Sequence, residues 1–111
     1  MQCKRLTDVL SVSAQIAPSD LAEVRAAGFR SVICNRPDGE ASDQVPFVAI
    51  RDAAIAQGLE VAHQPVVSGK ITDQDVVEFD KLVRAMPKPV FAYCRTGTRC
   101  EKLWERAQSL Q

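Results

Sequence analysis

The run "FAYCRTGTRCEKLW", residues 91–104, holds the side chains whose types and order best suit nucleophilic chemistry. An apolar stretch ends at Cys94, the loop residues Arg95, Thr96, Gly97, Thr98 and Arg99 follow, and helical periodicity then begins. A loop between a buried strand and the start of a helix can aim several backbone N–H groups at one point, and the helix dipole adds partial positive charge there. Such a nest holds an anion. A thiolate at its mouth is itself an anion, so the Cys94 pKa is expected below the free value of roughly 8.5. Gly97 permits the tight backbone path, while Arg95 and Arg99 add positive charge that attracts an anionic substrate. Cys94 and Arg99 are therefore the expected catalytic pair, with Arg95, Thr96, Gly97 and Thr98 binding substrate. The plainer alternative is a strand-end cysteine followed by an ordinary turn.

Other residues offer less. Arg36 in "NRPDGE" either lines the same anion site from a neighbouring loop or pairs with Asp38 or Glu40 across its own turn. Lys70 either attracts substrate or is a solvated loop lysine. His63, on an expected strand, is read as structural rather than as a base. Cys100 on the apolar stripe and Cys34 near a strand end are expected to be buried and inert, a resolving thiol being the alternative for each. Cys3 falls in a terminus expected to fray. With no Cys-x-x-Cys pair and a lone histidine, these residues make a poor ligand set, so neither metal nor cofactor is expected.

The elements that must position Cys94 follow from periodicity. "PSDLAEVRAAG" reads as a helix opened by Pro18 and stopped by Gly28, with Leu21, Val24 and Ala27 on one face and a strand following at about residues 30–34. "VPFVAIRDAAIAQG" repeats that grammar with Phe47, Ile50 and Ala54 buried, before a strand at about 59–64. In "ITDQDVVEFDKLVRAM", Thr72 and Asp75 form a capping box ahead of a stripe of Val76, Phe79, Leu82, Val83 and Met86. "VFAYC" is apolar nearly throughout, as a central strand covered on both faces should be. From Arg99 onward, Cys100, Leu103, Trp104, Ala107 and Leu110 recur at helical spacing, with Glu101, Lys102, Glu105 and Arg106 outward. "TDVLSVSA" is expected to add an edge strand.

Strands alternating with helices predict an α/β domain in three layers, with a mainly parallel sheet of four to five strands and right-handed crossovers. Ligands of such sheets bind at the carboxyl ends of the strands, so the loops after residues 34, 66 and 94 should face one another. At 111 residues, one domain over 1–111 is expected. Fourteen basic and fourteen acidic side chains cancel and gather into no stripe, which argues against nucleic acid as a partner. With no signal peptide and no bilayer-length apolar run, a cytoplasmic protein without membrane contact is expected.

"YCRTGTR" resembles the active-site loops of both the cysteine-dependent dual-specificity phosphatases and the rhodanese sulfurtransferases. "GFRSVICNRPDGE" and "VAHQPVVSGKITDQDVVEF" are similar to the early strand, the acid loop and the following helix of the phosphatases. Taken together, the chain resembles the beta-lactamase-hydrolase-like domain family, also described as a phosphatase-like sulfurtransferase. That resemblance implies a cysteine-phosphatase-like fold. Three departures bear on the reaction it implies. Arg99 stands one position early, with Cys100 where the phosphatase arginine should be; Ser68 replaces the acid-loop aspartate; and Tyr93 replaces the histidine before the cysteine. Asp73 and Asp75 are rival acids, though helix capping suits them better.

Sulfur transfer needs no proton donor, because sulfite or a thiolate leaves unaided. The leading expectation is therefore a rhodanese-type sulfurtransferase that passes sulfane sulfur from thiosulfate or glutathione persulfide through a Cys94 persulfide to a thiol or cyanide. Its substrate is then a small sulfur-containing anion or persulfide, and the resemblance implies a persulfide dioxygenase as partner. A protein tyrosine or dual-specificity-like phosphatase is the first alternative, and a non-catalytic anion- or persulfide-binding module the second.

Overall fold

The computed structural model describes residues 1–110. In chain order it contains β1 (Cys3–Arg5), β2 (Leu10–Ser13), a 3-10 turn at Pro18–Asp20 running into α1 (Leu21–Ala26), β3 (Ser31–Cys34), α2 (Phe47–Ala56), β4 (Glu60–His63), α3 (Asp73–Ala85), β5 (Val90–Tyr93) and α4 (Thr98–Gln108). The five strands form one sheet in the order β1-β2-β5-β3-β4. Pairing is parallel throughout except for β1, which runs antiparallel to β2. The α/β class, the layering and the mainly parallel sheet expected from the pattern are what the fold has.

The central strand shows why the layers form. Alternate residues of a strand point to opposite faces, and both faces of β5 are buried. Val90, Ala92 and then Cys94 pack with Val76, Phe79 and Val83 of α3 and Leu103 and Ala107 of α4. Phe91 and Tyr93 pack on the other side with Leu21 and Val24 of α1 and Ile50 and Ala54 of α2. Each fully buried side chain of this size contributes about 1.5–3 kcal/mol, so the α3 stripe alone is a substantial anchor for the sheet face that carries Cys94. That helix starts where Thr72 accepts from the Asp75 amide and Asp75 accepts from the Thr72 amide, both at 3.0 Å.

Two local expectations differ. The terminus around Cys3 is not frayed, because residues 3–5 pair with Ser13, Val12 and Ser11. The segment expected at the edge is thus β2, second in the sheet. Ala27 and Leu110 also stay exposed, since α1 and α4 end before reaching them. Among the described residues, no helix is long and apolar enough to cross a membrane.

Candidate active site

Strand β5 delivers Cys94 to the carboxyl edge of the sheet, and the loop that follows folds back around its sulfur. The Gly97 amide donates to Cys94 Sγ at 3.1 Å, and the amides of Cys100 and Thr96 also point to it. The Cys100 thiol, in the first turn of α4, favours the charged form of the same sulfur. Cys94 is 1% exposed, and burial would disfavour its charge. The Cys100 thiol outweighs that burial, and the three amides act in the same direction, so the Cys94 pKa is lowered to about 5. Cys94 is a thiolate at neutral pH.

The cradle depends on Gly97. Its φ of +92° lies in the left-handed region that side chains rarely adopt. A Cβ there would sit 3.3 Å from the Ser13 carbonyl carbon. The end of β2 presses against the loop at this point, with Cys94 N bonded to Ser13 O at 3.2 Å and Gln15 N to Arg95 O at 3.3 Å.

Arg99 is 7% exposed and ties three strand ends together. Its Nη1 donates to Val66 O at 2.8 Å and to Asn35 O at 3.3 Å. The same Nη1 lies 2.9 Å from Glu40 Oε2, and Nη2 donates to Glu40 Oε1 at 3.1 Å. The loops after residues 34, 66 and 94 therefore meet on one side chain. Arg99 Nε is buried and has no hydrogen-bond partner among the described residues. An unmet donor of this kind costs about 1–3 kcal/mol, and Arg99 lines a cavity of about 360 Å³ beside Cys94.

The cavity brings together Cys94, Arg95, Thr96, Thr98 and Arg99. Gly97 does not line it; its amide holds the Cys94 sulfur instead. Arg36 is elsewhere: its Nε donates to Glu40 Oε1 and its Nη1 to Gln15 Oε1, both at 3.0 Å, and it does not line the cavity. Of its two expected roles, pairing with Glu40 is the one seen. Glu40 consequently bridges two arginines. Burial would raise its pKa, but the Arg99 and then Arg36 hydrogen bonds hold it below the usual carboxylate range.

His63 Nε2 donates to the Arg36 carbonyl at 3.0 Å and stacks on Phe47 with centroids 4.3 Å apart, a structural placement. Cys34 lies on the opposite face of the sheet from Cys94, with its pKa raised by burial. Cys100 is buried as expected, and burial pushes its own pKa well up. Lys70 is not part of the cavity wall, whereas Lys102 is. Lys102 was placed on the outward face of the last helix. Its spacing of one helical turn from Thr98, which puts both on one face, was the available signal.

A parallel sheet with a cysteine loop after its central strand and an amide cradle closed by the following helix defines a cysteine-phosphatase-like protein. Comparison with known proteins agrees. The chain belongs to the family described as beta-lactamase hydrolase-like protein, phosphatase-like domain, whose model matches residues 2–111. It is 33% identical over 110 residues to the beta-lactamase hydrolase-like protein of Agrobacterium fabrum, covering 99% of this chain and 26% of that protein. The chain thus spans about a quarter of the length of this curated relative.

Among solved structures, a Neisseria meningitidis protein provisionally described as a phosphatase superposes with a TM-score of 0.86 at 38% identity, covering 91% of this chain and 72% of that one. A Shewanella putrefaciens protein with the same provisional description gives a TM-score of 0.81 at 20% identity, covering 96% and 69%. At that identity the second likeness concerns the fold alone.

These findings overturn the sulfurtransferase expectation and the low place given to phosphatase activity. The family is described by its phosphatase-like domain, and the Neisseria relative carries a phosphatase description. The physical error lay in measuring the loop by the position of Arg99. The amides directed at Cys94 extend to Cys100, the position where the phosphatase arginine would stand.

Proposed function

We propose that the protein is a cysteine-dependent phosphatase in which the Cys94 thiolate attacks phosphorus and the loop amides and Arg99 hold the phosphoryl oxygens. The observation that carries this reading is the Cys94 thiolate held by the loop amides beside a cavity lined by Arg95 and Arg99. Preorganised donors aimed at developing negative charge are the largest source of rate in such reactions. Arg95 adds charge at the rim, where a phosphate dianion arrives. Family membership and the Neisseria likeness support the same reading.

A cytoplasmic setting is proposed with it, since the four cysteines are free and the mechanism needs a reduced thiol. The test is hydrolysis of nitrophenyl phosphate by the wild type and by Cys94→Ser, alongside competition by orthovanadate. Turnover that is vanadate-sensitive and falls by at least about 10³-fold in Cys94→Ser is expected. Turnover that survives the substitution would remove Cys94 from the reaction.

A further inference from the structure

The cavity beside Cys94 is walled by three cations, Arg95, Arg99 and Lys102, and by the hydroxyls of Ser68, Thr96 and Thr98. Among the described residues no carboxylate lines it. Of the carboxylates around it, Glu105 lines the adjoining groove with Gly69, Ile71 and Lys102, and Glu101 pairs with Lys4. Glu40 is held ionised between Arg99 and Arg36. Asp73 pairs with Arg106 at 2.7 Å. Asp75 caps α3 through the Thr72 amide. A serine or threonine hydroxyl does not give up a proton at neutral pH, so neither a carboxylic acid nor a histidine lines the site to protonate a departing alkoxide. It does hold fixed positive charge where a departing anion would pass.

We infer that this site acts on phosphoryl groups whose leaving group departs as a stable anion without protonation, namely acyl phosphates and phosphoanhydrides, and that Lys102 is the specificity residue that meets the departing charge. The inference rests on the phosphatase reading above. In the first step the Cys94 sulfur forms an S–P bond while the P–O bond to the leaving group breaks. The electron pair stays on that oxygen, which leaves as a carboxylate or phosphate anion and takes no proton. In the second step water attacks phosphorus and the S–P bond breaks. Its electron pair returns to Cys94, and the proton lost from water passes to bulk solvent as inorganic phosphate forms. Neither step requires an oxidant or a reductant.

The experiment compares kcat/KM across acetyl phosphate, inorganic pyrophosphate, dinitrophenyl phosphate, nitrophenyl phosphate and an alkyl phosphate, for the wild type, Lys102→Met and Lys102→Arg. A general acid is worth roughly 10²–10⁴-fold, so the activated substrates and the anhydrides should exceed the alkyl phosphate by at least that factor. Lys102→Met should lower turnover of pyrophosphate and acetyl phosphate by roughly tenfold while changing nitrophenyl phosphate far less, with Lys102→Arg restoring most of the loss. Lys102 is exposed, so its variants are expected to fold. A rate indifferent to leaving-group basicity would overturn the inference while leaving the phosphatase intact. So would an unselective Lys102→Met. Failure to turn over any of the five substrates would instead sink the phosphatase reading, and the inference with it.

Discussion

Arg99 and Glu40 grip each other twice, Nη1 to Oε2 at 2.9 Å and Nη2 to Oε1 at 3.1 Å, while Arg36 Nε bonds the same Oε1 at 3.0 Å. One carboxylate therefore sets the orientation of the arginine that lines the cavity beside Cys94. Glu40→Gln keeps the shape and removes the charge. It should destabilise the fold by on the order of 1–3 kcal/mol and raise KM more than it lowers kcat, because Arg99 loses its anchor but not its own charge. The pH sign follows from the lowered Glu40 pKa. Its contribution is present above the unfolded value of about 4.3 and is lost as pH falls through the lower folded value. Thermal unfolding below about pH 4 should show that loss in the wild type and not in Glu40→Gln.

The four thiols should separate by reactivity. Cys94, with a pKa of about 5, is the thiolate facing the cavity, whereas burial raises Cys34 and Cys100. At neutral pH a short incubation with iodoacetamide should label Cys94 and the exposed Cys3 and spare the other two, as read by peptide mass mapping. The rate at Cys94 should fall about tenfold for each pH unit below 5. Stability follows the same proton. A thiolate favoured by the fold contributes fully above the unfolded pKa of roughly 8.5, and this is lost as pH drops through 5. The melting temperature of the wild type relative to Cys94→Ser should decline over that interval.

Gly97→Ala tests the cradle without touching its charges. The added methyl meets the Ser13 carbonyl carbon at 3.3 Å on a backbone already at φ +92°, so either the loop or the end of β2 must shift. A cost of about 1–3 kcal/mol in stability is expected. The Gly97 amide would leave the Cys94 sulfur with it, lowering kcat/KM by about 10-fold or more. Denaturant titration and steady-state kinetics on the same preparation read both effects.

Much of this site was legible because its parts are local in sequence. Cys94, Gly97 and Arg99 sit in one loop, and the strand and helix around them announce themselves by an apolar run and by helical periodicity. The layering was legible for the same reason, since the two faces of β5 alternate residue by residue. What sequence order concealed is long-range. Glu40 reaches Arg99 across 59 residues, and nothing in "NRPDGE" distinguishes that partner from Arg36 close by. The strand at Cys3 was hidden because its three residues are exposed and polar-flanked, so only pairing with β2 defines it. The reach of the cradle was hidden too, because backbone amides carry no sequence signature.

Cys100 offers the sharpest separation of a positioning role from a packing role. It is fully buried among Leu103, Ala107 and the β5 side chains, so a plain core cysteine would lose stability on truncation and do nothing else. Its thiol, however, is the largest single contributor to the lowered Cys94 pKa. A hydrogen bond to a charged group is worth about 1.5–3 kcal/mol, and one pKa unit corresponds to about 1.4 kcal/mol. Cys100→Ala should therefore raise the midpoint of Cys94 ionisation by about one to two units, as followed by thiolate absorbance against pH. Cys100→Ser retains a donor at the same position and should keep the midpoint near that of the wild type, even if both variants melt earlier. Equal midpoints in the wild type and Cys100→Ala would mean that the backbone amides alone hold the charge, and Cys100 would then be packing.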